Sequence, residues 1–217
     1  DTTGKIDDAQ IKLSLAHALL DSAGLGDAHD YLFWVDPWSP EGQLAAEKIR
    51  PVLHNLRILA ESSLVLIDQA RPLIHRNLDA IDAMALGARK IDFIGMKFEF
   101  ADEIVQMYAR AADTTTPPDQ RVNSPGGELI DISGMNGRAL DLRDGYSLIR
   151  DLYQQAWLRE NRPYWLHNIL ARYDMATQLW IARADKVSAA RSVLGRTHHL
   201  PPAESIGIPA AMPGLGQ

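Results

Sequence analysis

Residues 160–180, E-N-R-P-Y-W-L-H-N-I-L-A-R-Y-D-M-A-T-Q-L-W, decide how the chain is read. Leu166, Ile169, Tyr173, Ala176 and Trp180 recur at helical spacing and make one apolar stripe. Trp165, Asn168, Arg172, Met175 and Leu179 make a neighbouring stripe that mixes rings with hydrogen-bonding heads. Proline suits the first turn of a helix and pushes the residue before it out of helix. The spacing therefore predicts a helix that begins at about Arg162–Pro163 and runs to about residue 184. Most of the remaining chain reads as further helices built to cover this one.

Working outward, His75–Ala112 keeps one apolar face through Ile81, Ala88, Ile91, Phe98, Val105 and Tyr108, and predicts a long helix. Gly87 and Gly95 interrupt it. An interior glycine costs about 1 kcal/mol against alanine, so close helix approach is expected at both. Arg89, Asp92, Met96, Glu99 and Glu103 form a second stripe with Lys97 nearby, read as a solvated ion-paired face or a polar network under a site. Ser39-Pro40-Glu41 is a strong helix start: an N-cap serine, a proline in the first turn, and an acid at the positive helix end. That helix runs to about Ala70, with a kink or a junction near Glu47–Arg50 because Pro51 interrupts the pattern. A first helix precedes Gly24 or Gly26, capped by Asp7 or Asp8, with His17 near the edge of its apolar stripe. Between them, Asp27–Ser39 reads as an aromatic connector. Its rings serve either as a hydrophobic plug or as a ledge for a sugar or another domain.

Thr114–Gly127 is rich in proline, glycine and small polar residues and reads as a linker. Glu128–Gly145 reads as an ordered loop with room for one short strand. Tyr146, Ile149, Tyr153 and Trp157 make the next helix, ending near Asn161. Asp185–Leu194 continues the central helix or forms a short one of its own, and the tail to Gln217 is expected to be extended. The division expected is residues 1–112 as an N-terminal helical part, 113–145 as linker and ordered loop, and 146–217 as the C-terminal helical part of the same bundle. The fold class is all-α, a bundle of five to six helices, two of them long, with an ordered loop insertion.

The chain has 217 residues, 46% hydrophobic and 23% charged, enough to bury a sizeable core. A net charge of −6, with bases interspersed among acids, argues against a nucleic-acid partner. The lack of cysteine removes disulfides, thiolate metal sites and thiol nucleophiles. No apolar run approaches the roughly 20 residues needed to span a bilayer. A first residue of Asp1 rather than Met fits a trimmed chain or a piece of something longer.

No catalytic motif stands out. Glu-x-x-His pairs for a di-iron bundle are missing, and so are a phosphate-binding glycine loop and a G-x-S-x-G nucleophile elbow. No cofactor or metal is expected; His198-His199 point apart. Asp92 and Glu99 share a helix face, but nothing marks them as an acid pair over other carboxylates. What remains is a set of rings and planar hydrogen-bonding groups: Trp34, Trp38, Arg89, Asp92, Glu160, Asn161, Arg162, Tyr164, Trp165, Asn168 and Arg172, with Tyr173 beside them. Such groups suit carbohydrate recognition, in which rings stack on sugar faces and fixed donors and acceptors orient them. They equally suit a self-satisfied core network or anchors for a docked domain.

Three stretches resemble the C-terminal helical region of large bacterial proteins related to the family 20 glycoside hydrolases, the β-N-acetylhexosaminidases. They are F-W-V-D-P-W-S-P-E-G-Q (33–43), L-G-A-R-K-I-D-F-I-G-M-K-F (86–98) and residues 160–180, with L-P-P-A-E-S-I-G-I-P (200–209) closing the pattern. The catalytic Asp-Glu dipeptide of that family lies on a (β/α)₈ barrel in an H-x-G-G-D-E setting. Asp102-Glu103 departs from that setting, so no catalytic residue carries over. The resemblance implies a secreted or periplasmic glycoside hydrolase-like protein in which this chain is a helical accessory part. The chain would pack on or cap an upstream catalytic domain that it does not itself contain, with a carbohydrate as possible ligand. The alternative is a free-standing helical module that binds a carbohydrate or a protein.

Overall fold

The computed structural model describes residues 4–25 and 28–209, without the side chains of Ala28 and His29. The chain is an all-α bundle, 81% helical, with no strand among the described residues. The tail beyond Pro209, and Gly26 as a helix stop, lie outside what is described.

The helices are α1 (Lys5–Ser22), α2 (Ala28–Trp34), α3 (Pro40–Ile49), α4 (Leu53–Ala70), α5 (Leu78–Ala112), α6 (Pro125–Ser133), α7 (Arg138–Glu160) and α8 (Leu166–Thr197). The expected helix start at Ser39 is present: its side chain accepts from the Gly42 amide at 3.0 Å. A Cβ on Gly42 would run into the Asp36 carbonyl and lie 2.9 Å from Pro37 Cα, so only glycine lets α3 begin this close to the preceding turn. Pro51 produces the expected junction, a 3-10 turn at Arg50–Val52 between α3 and α4. The long helix expected over His75–Ala112 is present as α5, which runs unbroken for 35 residues through both glycines. The glycine expectation holds at Gly95, where a Cβ would collide with Arg57 Cγ and sit 3.4 Å from the Leu53 carbonyl. At Gly87 nothing approaches within 4 Å among the described residues.

Four expectations are corrected. The aromatic connector expected over Asp27–Ser39 holds a short helix, α2, at Ala28–Trp34. The ordered loop expected over Glu128–Gly145 is helical at both ends, with α6 through Ser133 and α7 from Arg138. Its start was legible: Ser124-Pro125 repeats the Ser39-Pro40 pattern, and Ser124 accepts from the Gly127 amide at 3.0 Å. The central helix begins at Leu166 rather than Pro163, because Trp165 takes a left-handed backbone (φ 63°), and it continues through Asp185–Leu194 to Thr197. His17 is exposed rather than at a core edge.

The chain divides into two compact units, Asp1–Phe98 with Ser147–Tyr173, and Glu99–Tyr146 with Asp174–Gln217. The division falls within α5, α7 and α8, whereas the Thr114–Gly127 linker lies wholly inside the second unit. In the first unit, Ala9, Ile67 and Ile81 tie α1, α4 and α5 into one apolar cluster, and the Ser63 hydroxyl donates to the Ala9 carbonyl at 3.0 Å. Lys97 is fully buried, and its ammonium donates to the carbonyls of Leu32 (2.6 Å), Phe33 (2.9 Å) and Val35 (2.7 Å) at the C-terminal end of α2. A cation there meets the negative end of the helix dipole and the carbonyls that α2 leaves unpaired. In the second unit, Leu129, Ile132, Leu142 and Trp180 are buried, and the Tyr108 hydroxyl donates to the Pro201 carbonyl at 2.8 Å. Arg110 makes two parallel bonds to the buried Glu128 carboxylate, at 3.0 and 2.8 Å.

Candidate functional site

The first compact unit holds a cleft of about 140 Å³ walled by the end of α4, by α5 and by α7. Asp82, Ala85, Leu86 and Arg89 face it from α5, and Leu152, Gln155, Ala156 and Arg159 from α7. On each helix these positions fall on one face at helical spacing. Arg71, in the 3-10 turn that follows α4, and Asp68 close the third side. Asp82 pairs with Arg71 at 2.6 Å and also with Arg159. Arg89 makes no hydrogen bond or ion pair among the described residues.

A second cleft of about 180 Å³ shares Asp82, Leu86, Ala156 and Arg159 with the first, so the two are lobes of one groove. Its other walls are Asp79 and Ala83 on α5, Tyr153, Trp157 and Glu160 on α7, and Asn161 just past the end of α7. The Trp157 indole donates to the Arg162 carbonyl at 2.8 Å and so fastens the segment that leaves α7. Three and four residues past Asn161, Tyr164 and Trp165 stand in the open, 74% and 57% exposed. Their rings are 5.5 Å apart and nearly perpendicular. The left-handed turn at Trp165 separates this ledge from α8.

Behind Tyr153 lies a ring cluster. Tyr153 is 5.9 Å from Tyr173, and Tyr173 is 4.8 Å from Trp34 and 5.7 Å from Phe33. The Arg172 guanidinium lies 4.2 Å over Trp34, and the Trp34 indole donates to Asp30 at 3.1 Å. Lys90 sits 4.8 Å over Phe33. Burial pushes the Lys90 ammonium below its ordinary pKa, Asp30 opposes that, and Arg172 adds to it. Burial likewise raises the Tyr173 and Tyr153 phenols, so both stay protonated hydrogen-bonding groups at neutral pH.

The residues singled out in the sequence therefore separate. Arg89 lies in the first lobe, and Glu160 and Asn161 in the second. Arg162, Tyr164 and Trp165 form the ledge, and Asn168 is exposed on the first turn of α8. Trp34 and Arg172 belong to the ring cluster. Trp38 is a correction, because at 8% exposure it fills the core and offers no ledge. Asp92 joins none of these groups; it accepts from Arg57 at 3.0 Å. Sequence reading missed Arg71, Asp82 and Arg159. Asp82 with Arg89 and Gln155 with Arg159 are polar positions at helical repeat, a signal that becomes informative only once the facing helix is known.

The groove offers guanidinium donors, carboxylate acceptors and ring faces, which can bind and orient a polar molecule. Among the described residues, no three of His, Cys, Asp and Glu converge to hold a metal ion. No described helix is long and apolar enough to cross a membrane. Comparison with protein-family models, curated proteins and solved structures finds no match, so the geometry and the resemblance of its motifs are what a functional reading rests on.

Proposed function

We propose that this chain is a helical accessory part of a glycoside hydrolase family 20-like, secreted or periplasmic protein, and that it works by binding carbohydrate rather than by cleaving it. The observation that carries the reading is the Tyr164–Trp165 ledge, two large rings held in solvent beside a groove lined with planar donors and acceptors. Exposing such rings forfeits burial that would stabilise the fold, so an occupant that covers them offsets the loss. Perpendicular rings over polar groups suit a sugar, which presents C–H faces and hydroxyl edges together. Hydrolysis at an N-acetylhexosaminide needs a general acid with a raised pKa and a carboxylate that orients the acetamide, and the sequence holds no Asp-Glu pair in the H-x-G-G-D-E setting that supplies them in that family.

The test is calorimetric titration of the 217-residue chain with an N-acetylglucosamine oligosaccharide, together with the melting temperature. Trp165→Ala is expected to weaken binding several-fold and to leave the melting temperature nearly unchanged, since a stacking ring is worth about 1 kcal/mol. A large fall in melting temperature with binding intact would assign Trp165 to the core and end the reading. Robust hydrolysis of an aryl N-acetylglucosaminide by the chain alone would end its non-catalytic part.

A further inference from the structure

The two lobes of the groove differ in charge. The first lobe brings three guanidiniums, Arg71, Arg89 and Arg159, against two carboxylates, Asp68 and Asp82. Asp82, four-fifths buried, engages Arg71 through one carboxylate oxygen and Arg159 through the other, so it ties both guanidiniums to the lobe while each keeps further N–H donors. Arg89 lines the lobe and makes no hydrogen bond or ion pair among the described residues. An arginine held part-buried on a helix and offered no acceptor loses hydration that a carboxylate or phosphate oxygen would replace. The second lobe carries Asp79 and Glu160 with Asn161, groups that accept from hydroxyls and repel an anion.

From this polarity we infer that the groove takes an acidic saccharide. The anionic substituent of the sugar meets Arg89 in the first lobe, bracketed by Arg71 and Arg159. The neutral ring lies in the second lobe, its hydroxyls donating to Asp79 and Glu160 and its face turned to Trp157. A volume of about 140 Å³ admits a carboxylate or phosphate with its ordered water, and the adjoining 180 Å³ takes the ring. The inference rests on the carbohydrate-binding reading above and narrows it to a charged substrate class. Charge, rather than shape, sets the orientation: reversing the sugar would place its anion against Asp79 and Glu160.

Glucuronate and glucose differ only at the carboxylate, so they serve as paired probes, with inorganic phosphate as the third. By calorimetry on the intact chain, glucuronate is expected to bind at least about tenfold more tightly than glucose, the scale of one charge-assisted hydrogen bond. Arg89→Gln is expected to bring glucuronate down to the affinity of glucose while the melting temperature stays unchanged, because Arg89 makes no hydrogen bond or ion pair to another described residue. The preference should also weaken as salt rises from 50 to about 300 mM. Should glucose bind as tightly as glucuronate, the acidic-saccharide inference fails while carbohydrate binding stands. Phosphate binding as tight as glucuronate and equally sensitive to Arg89→Gln would make the lobe a plain anion site and overturn the saccharide assignment. If an N-acetylglucosamine oligosaccharide, glucose and glucuronate all fail to bind, both readings fall together.

Discussion

The first compact unit contains a cation and a ring pair inside, and a cation and a ring pair on its face. Inside, Lys97 is fully buried with three carbonyls around its ammonium, and Phe33 and Tyr173 are packed edge to face. On the face, Arg89 has no acceptor among the described residues, and Tyr164 and Trp165 stand exposed. Lys97 and Arg89 lie on the same helix, about two turns apart. The difference teaches that residue type does not assign a role here. Satisfied partners mark the group that holds the fold, and missing partners mark the group available to a ligand.

The largest expected effect breaks the inner half of this comparison. Lys97→Met leaves three carbonyls without their donor at roughly 1–3 kcal/mol each, which places the loss at about 5 kcal/mol in urea unfolding. A loss under about 1 kcal/mol would mean that α2 ends without needing the ammonium, and the contrast with Arg89 would collapse.

The rings give the next effect. Tyr173→Ala removes a buried ring and is expected to cost about 3–4 kcal/mol, as core aromatic truncations do. Trp165→Ala is expected to stay within about 0.5 kcal/mol of the parent, as exposed substitutions do. Equal costs at the two positions would show that the ledge is part of the core packing.

The smallest effect sharpens the boundary between inside and face. Lys90 lies between the two, over Phe33 and beside Asp30 and Arg172, with burial holding its folded pKa below the ordinary lysine value of 10.5. In the window just below pH 10.5 the unfolded chain therefore binds more protons than the folded one, and stability rises with pH through that window. The same contribution is lost as pH falls through the folded value. Denaturant midpoints of the parent minus those of Lys90→Met, taken from pH 8 to about 10.5, should isolate this rise from the tyrosines that titrate nearby. A flat difference would place Lys90 with the solvated cations of the surface.

Much of the fold was legible because helical periodicity is local. The stripe Leu166, Tyr173 and Trp180 is buried, and the stripe Trp165, Arg172, Met175 and Leu179 is exposed, as their spacing demands. The junction at Pro51 and the cap at Ser39 follow from the missing amide of proline and the orphan donors of a helix start. The helix at Pro125 was passed over because two glycines after a proline read as a turn, although Ser124-Pro125 repeats the helix start seen at Ser39-Pro40. Of the candidate site, only the ledge and single members of the groove could be named.

The sequence by itself determined an all-α chain, where most of its helices run, and which faces are apolar, because those properties depend on residues within a turn or two of one another. Tertiary structure decided the rest. It set Asp82 between Arg71 and Arg159, left Arg89 lining a cleft with no hydrogen bond or ion pair among the described residues, buried Trp38 and exposed Trp165. A charge is structural or available according to what stands within about 3 Å of it, and those neighbours come from helices far apart in the chain, a pairing that no local pattern encodes.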